Sequence, residues 1–139
     1  MLKTPKDFYL EIHKNFAFTP TSKQNRLLKL LSIFLFDEDL NAVFLLKGFA
    51  GTGKTTTIAT LVNNLWKIGA KSVLMAPTGR AAKVISNYSK RKAFTIHKKI
   101  YFPRKSSNGS LEFALQPNKH TNTVFIVDEA SMIPDSRAN

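Results

Sequence analysis

Apolar residues recur along this chain with two different periods, and the switches between them mark out the elements. Residues 5–17 place Phe8, Ile12 and Phe16 on one face behind Pro5, which predicts a short amphipathic helix. Thr19-Pro20-Thr21-Ser22 interrupts it and offers an N-cap. Lys23–Phe36 predicts a second helix with a broad apolar face of Leu27, Leu28, Leu30, Leu31, Phe34 and Leu35. Asp37-Glu38-Asp39 then sits at a helix C-terminus with the wrong sign for the dipole, and reads as a solvated turn. Val43–Leu46 is a continuous apolar run that predicts a strand ending before Gly48.

Ile58, Leu61, Val62, Leu65 and Trp66 return to helical spacing and stop at Gly69, a natural C′ residue. Ser72–Ala76 predicts a strand ended by Pro77, and Thr78–Tyr88 a loop entering a helix with Ala81, Ala82, Val84 and Ile85 on its apolar face. Thr95–Tyr101 is a shorter helical stretch. Residues 103–122 carry Pro, Ser, Asn and Gly around one candidate strand, Leu111–Leu115, and read as a surface hairpin. Thr123–Val127 is a strand of buried type that delivers Asp128-Glu129 at its C-terminal end. Strands alternating with helices predict an α/β fold, a parallel sheet flanked by helices with ligand chemistry at the strand C-terminal ends, behind an N-terminal helical segment.

Between the run at Val43 and the helix at Thr56 lies Gly48-Phe49-Ala50-Gly51-Thr52-Gly53-Lys54-Thr55. A strand, a Gly-x-x-x-x-Gly-Lys-Thr loop and a helix, in that order, form the P-loop context. Glycines let backbone N–H groups converge on phosphate oxygens, and the helix N-terminus adds its positive end. Gly48, Ala50, Gly51, Thr52, Gly53, Lys54, Thr55 and Thr56 are the candidate ATP-binding residues. Lys54 would reach the β/γ-phosphates and Thr55 would ligate Mg²⁺. The plainer alternative is a glycine turn joining a strand to a helix.

Composition narrows the picture. The chain has 139 residues, enough for one domain with a core, and 43% of them are hydrophobic. It holds no cysteine, which excludes a disulfide framework, a thiolate zinc site and a cysteine nucleophile. No signal-peptide pattern opens the chain and no apolar run is long enough to span a bilayer, so the expectation is a cytoplasmic protein with no membrane partner. Lys and Arg number 21 against 9 Asp and Glu. From Leu40 to Leu111 there is no carboxylate, and 13 Lys or Arg. Seven of those lie in Lys90–Lys105, interleaved with His97, Tyr101 and Phe102, which points to a polyanionic partner over a merely basic surface.

An apolar strand followed by Asp-Glu supplies what a triphosphate site still lacks. Asp128 suits the metal's water shell and Glu129 suits a base that orients the attacking water. Alone, an Asp-Glu pair is more often a helix start; together with the glycine loop it gains weight.

Four blocks now carry a family resemblance. Gly48–Thr55 resembles motif I of superfamily 1 DNA helicases of the 5′-to-3′, RecD-like branch. Ala76-Pro77-Thr78-Gly79-Arg80-Ala81-Ala82-Lys83 resembles motif Ia, Thr95-Ile96-His97 the short element after it, and Val127-Asp128-Glu129-Ala130-Ser131-Met132 motif II. Thr21-Ser22-Lys23-Gln24 is similar to the Q motif, in which the glutamine amide reads the adenine edge. The likeness runs from about residue 20 to the last residue, and the motif Ia block is its most discriminating piece. It implies a RecA-like P-loop fold, with 1–40 as the helical segment and 41–139 as a partial ATP-binding domain. It also implies a single-stranded DNA track lined by Pro77, Thr78, Gly79, Arg80, Thr95 and His97. Arg80 has a rival reading as a surface residue over the following helix, and His97 as a packed histidine donating to a carbonyl.

The resemblance implies more than the chain holds. Motif III, the second RecA-like lobe and its arginine have no counterpart, and the strand that normally separates the P-loop and Asp-Glu strands is missing. The expectation is therefore a fragment, inactive alone, whose open sheet edges carry a risk of strand-exchanged self-association. Other function classes remain open at this point: a nucleotide- and DNA-binding fragment without catalysis, or a P-loop ATPase acting on protein.

Overall fold

Pro5 opens α1 (Pro5–Lys14) where a missing N–H costs nothing, and Thr4 caps it by accepting from the Asp7 N–H at 3.1 Å. Phe8 and Ile12 are fully buried and Phe16, just past the helix, nearly so, so the predicted face does turn inward. The helix ends earlier than the pattern predicts, at Asn15, whose side-chain amide joins its backbone N–H in donating to the Glu11 carbonyl. Thr21 starts α2 (Ser22–Leu35) with a full capping box. Of its broad apolar face, Leu28 and Leu31 are buried, while Leu30 stays exposed. Ser32 is buried with them because its hydroxyl donates to the Leu28 carbonyl at 2.8 Å. Asp37 and Asp39 form the predicted turn, each accepting from the N–H two residues on.

The computed structural model describes residues 1–48 and 51–134, which gather into two compact units, Met1–Lys71 and Ser72 onward. In the first, α1 packs on α2 and on α3 (Lys54–Asn64), which runs into a 3-10 turn at Leu65–Ile68 and stops at Gly69 in the left-handed region. Leu61, Val62 and Leu65 are buried as predicted, but so are Thr56, Thr57, Thr60 and Asn64, and Trp66 is exposed. The polar side chains tolerate burial by bonding one turn back: Thr57 to the Gly53 carbonyl, Thr60 to Thr56, Asn64 to Thr60. The Glu11–Lys67 ion pair at 2.5 Å and the Leu2 N–H on the Lys67 carbonyl tie α1 and the N-terminus to that turn.

The strand predicted at Val43–Leu46 does not form among the described residues. Residues 42–47 alternate in burial as a strand does, with Phe44 resting on Phe34 at 5.4 Å between ring centroids, while Val43 and Leu45 are exposed. A strand is a ladder property, and no described residue supplies the ladder.

The second unit is built on β1 (Lys71–Ala76), whose residues Val73–Ala76 are buried. α4 (Gly79–Ser89) crosses over to β2 (Ala93–Thr95), which lies parallel to β1 with Leu74 opposite Ala93 and Ala76 opposite Thr95. α5 (Ile96–Ile100) leads into an antiparallel hairpin of β3 (Tyr101–Lys105) and β4 (Leu111–Leu115), turned at Gly109 with φ 83°. β5 (Thr123–Val127) then pairs with the other side of β1. The architecture is α/β, a sheet with parallel strands flanked by helices and preceded by N-terminal helices. Pattern reading missed β2, three residues too short to show a period. It matched β4 and β5 to the residue. No helix among the described residues is long and apolar enough to cross a membrane.

The hydrogen bond from Lys67, helped by the one from Asn15, holds the Glu11 carboxyl below its ordinary range. A depressed folded pKa means that this stabilisation is present above the unfolded value and is lost as pH falls through the folded one. Glu11→Gln is expected to lower the melting temperature at neutral pH. The gap from the unaltered chain should close as the pH is taken from about 5 down to about 2. Melting curves whose separation does not change over that range would show that charge is not what holds the contact.

Candidate functional site

Gly51 and Gly53 both lie in the left-handed region, with φ 80° and 84°, and Gly53 is the N-cap of α3. That puts Lys54, Thr55 and Thr56 in the first turn of the helix. Its N-cap is a glycine, which makes no side-chain cap hydrogen bond, and a helix N-terminus of this kind favours an anion. The Lys54 ammonium folds back to donate to the Gly48 carbonyl at 2.5 Å. The loop is tight on its near side: a Cβ at Gly48 would sit 2.9 Å from Thr52 Oγ1. Thr55 is half-buried, and Thr56 is buried within the helix. Ala50 lies outside the described residues.

Gln24 approaches the loop from α2. Its Oε1 accepts from the Thr21 N–H at 2.9 Å, and its Nε2 donates to the Thr52 carbonyl at 3.2 Å. The residue to which the family resemblance assigns the adenine edge is therefore joined to the phosphate loop.

In the second unit the predicted residues collect along one edge of the sheet. Pro77 follows β1, and Thr78 caps α4 by accepting from the Ala81 N–H at 3.1 Å, with Gly79 and Arg80 exposed in the first turn. Thr95 ends β2 beside Ala76 and caps α5, accepting from the Lys98 N–H at 3.2 Å. The Asp128 N–H donates to the Met75 carbonyl at 2.9 Å, which fixes it at the same edge. Asp128 Oδ1 in turn accepts from the Glu129 N–H at 3.0 Å. Glu129 is exposed with φ 55°, a left-handed conformation that a residue with a Cβ adopts at a cost.

His97 is exposed, and its ring packs on Tyr101 and Phe113 with centroids 4.9 and 4.7 Å away, tying α5 to the hairpin. Sequence reading passed over Phe94. Lys99 and Lys92 stand over its ring at 4.4 and 5.1 Å, so it gathers two cations at the end of β2. The available signal was an aromatic inside the basic run, hidden because Phe94 reads as ordinary strand filling. No group of three or more His, Cys, Asp or Glu side chains gathers to hold a metal among the described residues. An open cleft of about 440 Å³ at Phe102, Gln116, Pro117, Lys119 and His120 contains none of the predicted residues.

An α/β chain with a left-handed glycine turn feeding Lys54 into an uncapped helix has the form of a P-loop ATPase domain. Residues 36–139 match the family model of an AAA domain, and the chain belongs to that family. Over 92 residues it is 35% identical to the ATP-dependent RecD2 DNA helicase of Deinococcus radiodurans. The match covers 66% of this chain and 12% of the relative, so the chain spans a small part of that protein's length. No solved structure matches the chain.

The two left-handed glycines differ in what surrounds them. A Cβ at Gly51 meets no atom of the described residues within 4 Å, whereas at Gly53 it would meet Gln24 Nε2 at 2.5 Å. Alanine at either position should cost about 1–2 kcal/mol for the backbone conformation alone. Gly53→Ala should cost about 1 kcal/mol more, because it displaces the Gln24 bond. Urea unfolding of both variants checks this, and equal losses refute the crowding at Gly53.

Proposed function

We propose that this chain is the ATP-binding part of an ATP-dependent DNA helicase that couples hydrolysis to 5′-to-3′ movement on single-stranded DNA. The observation that carries the reading is the start of α3: two left-handed glycines, a glycine at the N-cap, and a lysine in the first turn that donates to a loop carbonyl. In this reading Gly48, Ala50, Gly51, Thr52 and Gly53 wrap the phosphates, and Lys54 exchanges the Gly48 carbonyl for the β/γ-phosphates. Thr55 carries a hydroxyl oxygen and Asp128, in the other unit, carboxylate oxygens, each of a kind that suits a hard cation such as Mg²⁺, which when bound with ATP would neutralise phosphate charge. Glu129, exposed and left-handed beside Asp128, orients the attacking water.

Single-stranded DNA is the partner that best suits the sheet edge of the second unit. Thr78 and Thr95 cap helix starts there, Gly79 and Arg80 are exposed, and Lys92 and Lys99 flank Phe94. Such groups position phosphates without reading sequence. The similarity to a DNA helicase of Deinococcus radiodurans supports the same partner.

In the intact protein, Lys54→Ala is expected to abolish DNA-stimulated ATP hydrolysis. Glu129→Gln should keep nucleotide binding and cut turnover by roughly 10²–10⁴, the range for a positioned base. Full turnover in both variants would sink the assignment. Binding of single-stranded DNA by the chain itself should weaken with salt at a log–log slope of about −0.7 per phosphate contacted. Hydrolysis indifferent to DNA, with no salt-dependent DNA binding, would instead favour an ATPase acting on protein.

A further inference from the structure

We propose that the cleft beside the β3–β4 hairpin is a seat for one base of a nucleic-acid strand, with the Phe102 ring as its stacking floor. The site contains none of the residues assigned above, and takes the identity of its ligand, single-stranded DNA, from that reading.

The hairpin makes the floor. Paired residues of antiparallel strands share a face, so Phe102 with Ala114 and Arg104 with Glu112 occupy one side. Tyr101 with Leu115 and Pro103 with Phe113 occupy the other, where the His97 ring packs on Tyr101 and Phe113. On the first side the residue opposite Phe102 is an alanine, whose methyl group is too short to cover a ring. Phe102 is left 38% exposed, with no aromatic partner among the described residues. The Gln116 N–H donates to the Ile100 carbonyl at 2.7 Å, which carries the ladder one step past β4 and puts Gln116 on the Phe102 side. Pro117, Lys119 and His120 complete the cleft of about 440 Å³, a volume in the range of small-molecule sites.

Its polar groups are held in place. Gln116 Nε2 donates to the Tyr101 carbonyl at 2.8 Å, which leaves Oε1 as the acceptor of that amide. The His120 N–H donates to Asn118 Oδ1 at 3.0 Å, and its ring stands edge-on to Phe125 with centroids 5.4 Å apart, bracing one wall against β5. Lys119 adds a positive charge. From Leu40 to Val127 the only carboxylate is Glu112, and it stands opposite Arg104 in the ladder. Aromatic ring, hydrogen-bond acceptor and cation match the three things a nucleotide offers: a π face, an N–H on the base edge, and a phosphate. Every base has that face and carries at least one such N–H, so the seat tolerates any sequence. An acidic peptide would use Lys119 and leave the ring and the acceptor unfilled.

The test compares binding of the 139-residue chain to oligothymidylate and to an abasic strand of the same length and charge. Phe102→Ala is expected to weaken oligothymidylate binding roughly five- to a hundred-fold, the worth of one stacked base, and to leave the abasic strand unchanged. Phe102→Tyr keeps the ring and should bind as the unaltered chain does. Lys119→Gln should make the log–log salt slope shallower by about 0.7 for both strands. If Phe102→Ala folds poorly, the unaltered chain irradiated with an iodouracil-substituted strand should carry the adduct on Phe102 or His120. Adducts confined to other residues overturn the proposal. Equal weakening of both strands by Phe102→Ala overturns it in favour of a structural role for the ring. Unchanged oligothymidylate binding in that variant overturns the seat, while salt-dependent binding by the unaltered chain keeps the DNA reading standing. Thymidine monophosphate that suppresses the adduct at the same nucleotide concentration assigns the cleft to a free nucleotide and overturns the strand. Failure of the unaltered chain to bind either strand overturns the DNA reading, and this proposal with it.

Discussion

The first unit depends on one constraint: a helix must begin immediately after a backbone turn that only glycine adopts cheaply. Gly53 at φ 84° ends the loop and leaves the first N–H groups of α3 without a side-chain cap. The other α-helices among the described residues start under a hydroxyl, from Thr4, Thr21, Thr78 and Thr95. The contrast is chemical. A capped start satisfies its own donors; an open one waits for an anion, at a place where the dipole favours it. Much of the surrounding structure keeps that start in place. Thr57 bonds back to the Gly53 carbonyl, Lys54 reaches over to Gly48, and Gln24 holds Thr52 from the side.

The second unit obeys a different constraint, parallel register. With Ala76 opposite Thr95 and Asp128 bonded to Met75, three strands end together. The loops that follow them deliver Pro77–Arg80, Thr95–His97 and Asp128-Glu129 to one edge. Segments some fifty residues apart in sequence become neighbours because parallel strands need crossover connections, and those return each strand to the same end. The same edge carries the cations around Phe94, and two of its three segments, Pro77–Arg80 and Thr95–His97, come from the stretch Leu40–Leu111 that has no carboxylate. A surface of that sign draws polyanions over a Debye length and needs no base contact to do so.

Helix starts, stops and polar turns were legible because their signals are local. Thr21 with Gln24 three residues later spells a capping box, Gly69 spells a left-handed stop, and Asp37-Glu38-Asp39 spells a solvated turn. Burial was legible in part. Phe8, Ile12 and Phe16 turned inward as their spacing requires, but α2 buries a narrower stripe than its leucines offer. α3, in turn, buries threonines that pattern reading treats as polar surface. Periodicity names a face, yet the width of that face is set by what packs on it, and hydroxyls enter freely when they bond to the preceding turn.

What the amino-acid order determined alone is the chemistry: a glycine loop with Lys54 and Thr55, an acidic pair behind an apolar strand, and a basic run with aromatics. Those depend on residue type and short spacing, which any conformation of the chain retains. Tertiary structure decided the rest. Val43–Leu46 is apolar enough for a strand but forms none among the described residues, since a strand exists only beside a partner. Phe94 acquired its two lysines, and Gln24 its hold on Thr52, only because elements distant in sequence were folded together.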